Sequence, residues 1–359
     1  MSAKLKQSPE DFVVEENISL QFSGEGEHCW VYIQKRGCNT DWLAQQLARF
    51  CGVKQMAVSY AGLKDRHAVT SQWFSVQLPG LPTPDWKAFE AIFPAGEVKV
   101  LQSQRHQRKL QRGALKSNTF KITLHDLCSD EALDMDGSAE GLEDQIDDQL
   151  FEALQQRCSQ IAESGVANYF GKQRFGRNAN NLEQAEKFFL KPSRRLPRHK
   201  RSIYLSAARS WMFNCILSER IRQKIWNKRL QGDVFMLAGK SACFKDPVEG
   251  IEGNGSIEET SERLNSGELH PTAILWGEGD EMVSAQARDL EMEVIDQFPV
   301  FRDGLIAARL KSQRRACRVI PQNMASFRQG DSFVVSFSLP AGCYATVVLG
   351  EIFSKLVEH

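Results

Sequence analysis

The sequence predicts an α+β protein of two domains, and three observations carry that expectation. Its 359 residues exceed the size at which one hydrophobic core keeps growing, so a second core is expected. Short runs rich in β-branched and aromatic residues cluster towards both ends of the chain, whereas longer stretches with a helical apolar period occupy the middle. The apolar share of 42% and charged share of 25% are those of an ordinary globular protein. If the two ends form one sheet, the middle is an insertion into it.

Each element has its own local reason. Residues 12–16 and 30–33 read as strands, the second holding Trp30, Val31, Tyr32 and Ile33. Asn39, Thr40 and Asp41 offer an N-cap before Trp42, Leu43, Leu47, Phe50 and Cys51, whose spacing makes one apolar helical face that Gly52 can close. Residues 56–60, 73–78, 98–101 and 120–124 read as further short strands. Residues 134–141, with Gly137, Ser138 and Gly141 and no apolar period, read as a mobile surface insertion. Helices are expected over 148–163, over 206–230 behind an N-cap at Ser206, and over 282–298. Residues 250–255 read as a loop, and a helix over 305–317 would carry Arg309, Lys311, Arg314 and Arg315, with Arg318 just beyond. A strand over 332–339 and a helix after Tyr344 close the chain.

Composition also excludes classes of function. There is no run of eighteen apolar residues, and the N-terminus carries Lys4, Lys6 and Glu10 where a signal peptide would have its apolar core. No membrane partner is expected, and the expected location is cytoplasmic. The nine cysteines are odd in number and form no Cys-x-x-Cys pair, which argues against a disulfide framework and a zinc site alike; no metal is expected. Forty-five basic and forty-five acidic residues cancel, but they are segregated along the chain. Arg105, Arg108, Lys109, Arg112, Lys116 and Lys121 run without an acid between them, as do Lys191, Arg194, Arg195, Arg198, Lys200 and Arg201, while residues 130–149 carry nine acids and no base. Outside that acidic stretch the chain is basic, the footprint of a protein that contacts phosphates.

The segment with the most chemistry is Ala61 to Gln72, which sets Asp65 between Lys64 and Arg66 on the connection between two expected strands. Cations beside a carboxylate favour its charged form, and a charged carboxylate on a rigidly held loop can serve as nucleophile or electrostatic anchor. Taken alone, a Lys-Asp-Arg tripeptide also fits a solvated turn. Gly24, Glu25 and Gly26 are too few and too acidic to cradle a nucleotide cofactor, and no Gly-x-Gly-x-x-Gly occurs elsewhere.

Gly62, Lys64, Asp65, Ala68, Thr70 and Gln72 together resemble the signature of the TruD family of tRNA pseudouridine synthases. Further segments resemble the same family in the same order: Lys6 with Pro9 to Glu15, Arg105 to Phe120, Gly165 to Gly176, Leu205 to Asn214, and Leu339 to Thr346. The departures are Ser117 where a second Gly is usual, Ala167 where Pro is usual, Gly350 where Arg is expected, and Tyr344 in place of Phe. The resemblance implies a mixed, mainly antiparallel sheet of pseudouridine synthase type, formed by residues 1–164 and 309–359. It implies an inserted α/β TRUD domain over 165–308 and a V-shaped whole. It implies that Asp65 is the catalytic carboxylate and that Phe12, Asn118, Phe120 and Tyr344 line the uridine pocket, with Lys64 and Lys6 as candidates to support Asp65 or the departing uracil. The implied partner is tRNA, at uridine 13 of the D arm, and no cofactor is implied, because the base is both leaving group and returning nucleophile. Asp65 could add to C6 of the ring, add to C1′, or abstract a sugar proton. The competing readings are a non-catalytic binder of structured RNA, which leaves the Asp65 motif unexplained, and a methyltransferase, which would need the cofactor loop that the chain lacks.

Overall fold

Phe12, Val14 and Glu16 are buried while Glu15 between them is exposed, the two-residue period of a strand with one covered face. The same alternation recurs at 120–124, where Phe120, Ile122 and Leu124 are buried. These strands meet in a computed structural model that describes residues 1–111, 114–128, 143–191, 196–247, 256–279 and 281–358.

In chain order the first elements are β1 (Ser2–Leu5), β2 (Phe12–Ile18), β3 (His28–Arg36), α1 (Thr40–Phe50), β4 (Val58–Tyr60) and β5 (Val69–Gln77). Then come α2 (Trp86–Glu90), β6 (Val98–His106), β7 (Leu115–Cys128), α3 (Glu143–Ser164), β8 (Val166–Ala167), α4 (Asn180–Leu190) and α5 (Arg198–Arg222). β9 (Val234–Leu237), β10 (Cys243–Lys245), α6 (Ile257–Asn265), β11 (Leu269–Leu275), α7 (Ala285–Ile295) and α8 (Pro299–Ala307) follow. The last are β12 (Gln313–Ala316), β13 (Arg318–Val319), β14 (Gln322–Gln329), β15 (Ser332–Pro340), α9 (Ala345–Ile352) and β16 (Lys355–Glu358).

The chain divides into two compact units. One comprises Met1–Ala162, Pro321–Gly342 and Leu349–His359; the other comprises Glu163–Ile320 and Cys343–Val348. In the first unit a ten-stranded sheet runs β14-β15-β7-β2-β5-β3-β6, with β1 beside β7 and β16, and β4 beside β5. The pairings described are antiparallel except β2 with β5 and β1 with β16. Both ends of the chain therefore supply one sheet. On one face Leu43 and Leu47 of α1 pack on Val31, Phe74 and Val76, and on the other Trp30 and Trp73 gather around Leu110.

The second unit holds an antiparallel sheet in the order β10-β9-β11-β12 and a pair, β8 with β13. Ala208, Met212, Phe213 and Ile216 of α5 fill its core with Ile274, Leu290, Val294 and Leu305. Gly165 enters β8 at φ +74°, where an added Cβ would stand 2.6 Å from the carbonyl oxygen of Val319, so both the backbone angle and the close approach of β13 call for glycine.

Three helix expectations need correction. The cationic helix expected over 305–317 is not formed: α8 ends at Ala307, Arg309 reverses the chain at φ 55°, and β12 follows. The reason is pairing, since Arg314 ion-pairs with Glu291 of α7 at 2.7 Å with both side chains buried. The helix expected over 206–230 starts earlier, at Arg198 directly after Pro197, and ends at Arg222 before Lys224 at φ 59°. The helix expected over 282–298 is α7 alone, because Pro299 opens a new helix at its first turn. By contact, residues 309–320 and 343–348 group with the second unit, whereas the family-implied boundary places them with the sheet. Arg112, Arg194, Arg195, the expected insertion at 134–141 and the expected loop at 250–255 lie outside the described residues.

Candidate active site

Asp65 sits on the connection from β4 to β5, and that connection is tied down at four points. The Thr40 hydroxyl, at the first turn of α1, accepts from the Lys64 backbone N–H at 3.0 Å and donates to Gln72 Oε1 at 2.9 Å. Gln72 Nε2 donates to the Gly62 carbonyl at 3.2 Å, and Arg66 Nε donates to the Gly37 carbonyl at 3.2 Å. Lys35 of β3, with no exposed surface, donates from Nζ to the carbonyls of Cys38 and of Asp65 itself, at 2.7 and 2.9 Å. Burial holds the Lys35 ammonium below the usual lysine range. The backbone at Asp65 is thus anchored from inside, whereas its carboxylate is 53% exposed. A fixed backbone under an open carboxylate is how a fold presents a reactive group.

The cation facing that carboxylate comes from far away in sequence. Lys6 Nζ lies 3.3 Å from Asp65 Oδ2, with the lysine side chain 13% exposed. Lys6 adopts φ 61°, a left-handed backbone, and its ammonium lies 4.5 Å from the centroid of the Phe12 ring. Asp11 steadies this turn: its carboxylate accepts from the Ser8 N–H at 2.7 Å and lies 2.9 Å from His125 Nε2.

Lys64, adjacent to Asp65 in sequence, turns the other way. Its Nζ donates to Glu16 Oε1 at 2.8 Å, in a pair with 7% and 0% side-chain exposure, and Glu16 Oε2 accepts from the Trp73 N–H. Lys64 therefore neutralises a buried carboxylate of β2. Of the two lysines singled out in the sequence, the remote one stands beside Asp65 and the neighbouring one does not.

The remaining residues singled out in the first unit share a neighbourhood. Phe12 and Phe120 meet edge to face with centroids 6.2 Å apart, and Phe120 lies 5.6 Å from Phe337. Asn118 is two residues before Phe120 on β7, between Glu16 of β2 and Leu339 of β15, so it shares a sheet face with Phe120. Its Oδ1 is buried without a hydrogen-bond partner, as is Thr70 Oγ1 on β5. A buried acceptor without a donor is costly, and it identifies a place where a ligand donor would be stabilised. Sequence reasoning passed over Lys35, Thr40 and Glu16, which sit in strand or helix positions that read as ordinary core edge. Gln72 was visible only as part of the motif.

Tyr344 belongs to the second unit. Its hydroxyl accepts from Arg174 Nε at 3.0 Å, and its ring rests on Gly171, where a Cβ would come within 3.0 Å of Cδ1. The hydroxyl gained in place of Phe is thus used, as an acceptor for a guanidinium that also donates to Ser206 Oγ at 3.1 Å.

The described residues include no group of three or more metal-ligating side chains and no helix long and apolar enough to cross a membrane. The sequence profile of the family described as tRNA pseudouridine synthase D (TruD) matches residues 1–191 and 178–352. A tRNA pseudouridine synthase D of Methylococcus capsulatus is 43% identical, with 97% of this chain and 90% of that protein covered. Another, from Hydrogenovibrio crunogenus, is 40% identical over 99% of this chain and 94% of that protein. Among solved structures, a putative tRNA pseudouridine synthase D (TruD) of Methanosarcina mazei superimposes with a TM-score of 0.68, covering 98% of this chain and 94% of that chain at 23% identity. That structure has the same α+β fold with its mainly antiparallel sheet.

Proposed function

Because the chain belongs to the tRNA pseudouridine synthase D (TruD) family, we propose that it isomerises uridine to pseudouridine in tRNA, at position 13 of the D arm, with Asp65 as the catalytic carboxylate. The observation that carries this reading is the Asp65 site: an exposed carboxylate on a loop pinned through Lys35, Thr40 and Gln72, with Lys6 at 3.3 Å. The reaction breaks the bond from N1 of uracil to C1′ of ribose and forms one from C5 to C1′. Atoms and electrons balance within the nucleotide, and a proton moves from C5 to N1.

The residues suit distinct parts of that work. The target base has to leave the stack to reach a carboxylate on the protein surface, and an aromatic face rewards that extrusion. Phe12 and Phe120 supply rings, and the unpartnered Asn118 Oδ1 supplies an acceptor for the N3–H of uracil. Lys6 offsets the negative charge that develops on the detached base, in addition to steadying Asp65. Asp65 is placed to add to C6, to add to C1′, or to take a proton from the sugar. In this reading the first unit is the synthase core and the second is the inserted RNA-binding domain.

The test is incubation with unmodified tRNA in the absence of any cofactor, scored by the appearance of a carbodiimide-resistant base at position 13. Asp65→Asn should abolish the product while leaving tRNA affinity within a few fold, since phosphate contacts supply most of the binding. Substantial turnover by Asp65→Asn would remove Asp65 from the mechanism, and a tight complex without product in the native protein would make it a non-catalytic RNA binder.

A further inference from the structure

Two sequence segments left without a role, 165–176 and 205–214, interlock in the second unit. Asn214 closes a double hydrogen bond on the Phe170 backbone, accepting from its N–H at 2.9 Å and donating to its carbonyl at 3.0 Å, while Arg174 reaches Ser206. Beside this junction is a cavity of about 630 Å³, within the size range of small-molecule sites. One stripe of α5 lines it, from Arg198 and Arg201 at the exposed end, through Ser206, to Arg209. Ser202 and Leu205 line it too, and the resulting spacings of three and four residues place these side chains on the same helical face. Arg315 of β12 lines the cavity too, with its guanidinium carbon 4.1 Å from the centroid of the Phe170 ring.

The charge of this cavity is one-sided. Four arginines line it, and no aspartate or glutamate is among its described lining residues. Arg209 illustrates the imbalance. Its Nη2 donates to the carbonyls of Leu275 and Lys311, at 2.8 and 2.9 Å, but its Nε is buried and has no partner. Burial pushes Arg209 below the usual arginine range, the mark of a cation drawn out of water, whereas Arg315 donates to the carbonyl and the Oδ1 of Asn168, at 3.2 and 2.6 Å. Guanidinium stays protonated even so, and it pairs best with a planar or tetrahedral oxyanion. Arg314 of the same unit differs, because both of its terminal nitrogens donate to the Glu291 carboxylate, at 2.8 and 2.7 Å.

We propose that this cavity is an anion site for the phosphate of a nucleotide, with Arg198, Arg201 and Arg209 holding the phosphate oxygens and room beside Phe170 and Leu205 for the attached sugar or base. The phosphate could be a phosphodiester of the bound RNA or that of a free nucleotide. The RNA source rests on the function proposed above, and binding of a mononucleotide does not. This site is distinct from the Asp65 neighbourhood, since every lining residue belongs to the second unit.

The probe is adenosine 5′-monophosphate, whose base lacks the uracil edge, titrated calorimetrically against the full chain alongside adenosine. The monophosphate should bind about tenfold or more tightly than the nucleoside, and Arg198→Gln with Arg201→Gln should remove most of that difference. Both side chains are exposed on the helix surface, so the double variant keeps its core intact. Equal binding of nucleoside and nucleotide, or an unchanged nucleotide affinity in the double variant, would overturn the site. If the phosphate is that of RNA, the double variant should raise KM for tRNA several fold with kcat little changed, and the monophosphate should compete with tRNA. Nucleotide binding that is lost in the double variant but never competes with tRNA would support the site and overturn its RNA occupant. Absence of turnover in the native protein would refute the proposed function while leaving the calorimetric result standing.

Discussion

At the scale of single residues, the site depends on which lysine reaches which carboxylate. Lys6 and Asp65 are separated by 59 residues, and Lys64 and Glu16 by 48, yet each pair is closed by a short contact. Lys6→Met keeps most of the length of the side chain over Phe12 and removes its charge. It should lower kcat by about tenfold to a hundredfold with tRNA affinity nearly unchanged, because in the proposed mechanism the charge acts on the reacting groups and not on the RNA backbone. A variant with native kcat would reduce Lys6 to packing on Phe12. Asp65 itself was legible in the sequence through its motif, since the residues that anchor its loop are partly written into that motif as Gly62, Lys64 and Gln72. The Lys35 anchor was not legible, because a lysine in a strand otherwise reads as an exposed edge, and only the folded chain brings its ammonium under the Asp65 carbonyl.

At the scale of elements, the second unit is held by ion pairs that its sequence pattern conceals. Arg220 of α5 and Asp233 before β9 are both fully buried and hydrogen-bonded to each other, and Asp233 also accepts from the Leu230 N–H at 2.8 Å. Asp233→Asn would leave an unpaired guanidinium in the core and should cost about 3–5 kcal/mol, read as a large fall in the urea midpoint. A loss under about 1 kcal/mol would mean that the pair contributes little. His270 of β11 is a second buried polar group, and it accepts from Arg318 Nε at 3.1 Å. Burial, aided by the Arg318 charge, lowers its pKa to about 4. The unfolded chain, with an ordinary histidine near 6.5, binds the proton first as pH falls, so stability present above pH 6.5 drains away between 6.5 and 4, by up to about 3 kcal/mol. His270→Gln retains an acceptor for Arg318 and should flatten that slope; an equally steep acid loss in the variant would assign it to other groups. The misread helix over 305–317 has the same origin as these pairs. A run of arginines looks like a solvated helical face until Glu291 is found opposite Arg314, and Arg318 beside His270.

At the scale of the whole molecule, a chain of zero net charge is expected to bind a polyanion. Its affinity for tRNA should fall steeply with salt, since each neutralised phosphate releases counterions. The cations available for this are fewer than the sequence suggests. Arg105 and Lys109 of the first basic run already donate to backbone carbonyls at Leu81 and Met56, and Arg314 and Arg318 are buried, whereas Arg198, Lys200 and Arg201 of α5 are exposed. Deleting residues 134–141 removes like charge from an RNA binder and should leave turnover intact, or slightly higher at low salt; a loss of activity would give that segment a role in the reaction.

The sequence by itself determined the α+β class, the contribution of both chain ends to one sheet, and the segment that carries Asp65. These depend on local periodicity, turn chemistry and a contiguous motif, all of which survive without tertiary contacts. Only the tertiary structure decided that Lys6 and not Lys64 faces Asp65, that Lys35 and Thr40 hold its loop, that residues 313–316 form a strand, and that four arginines of the second unit converge on one cavity. Each of these depends on contacts across long sequence separations, and the direction in which a long charged side chain turns is set by the partner it finds once the chain has folded.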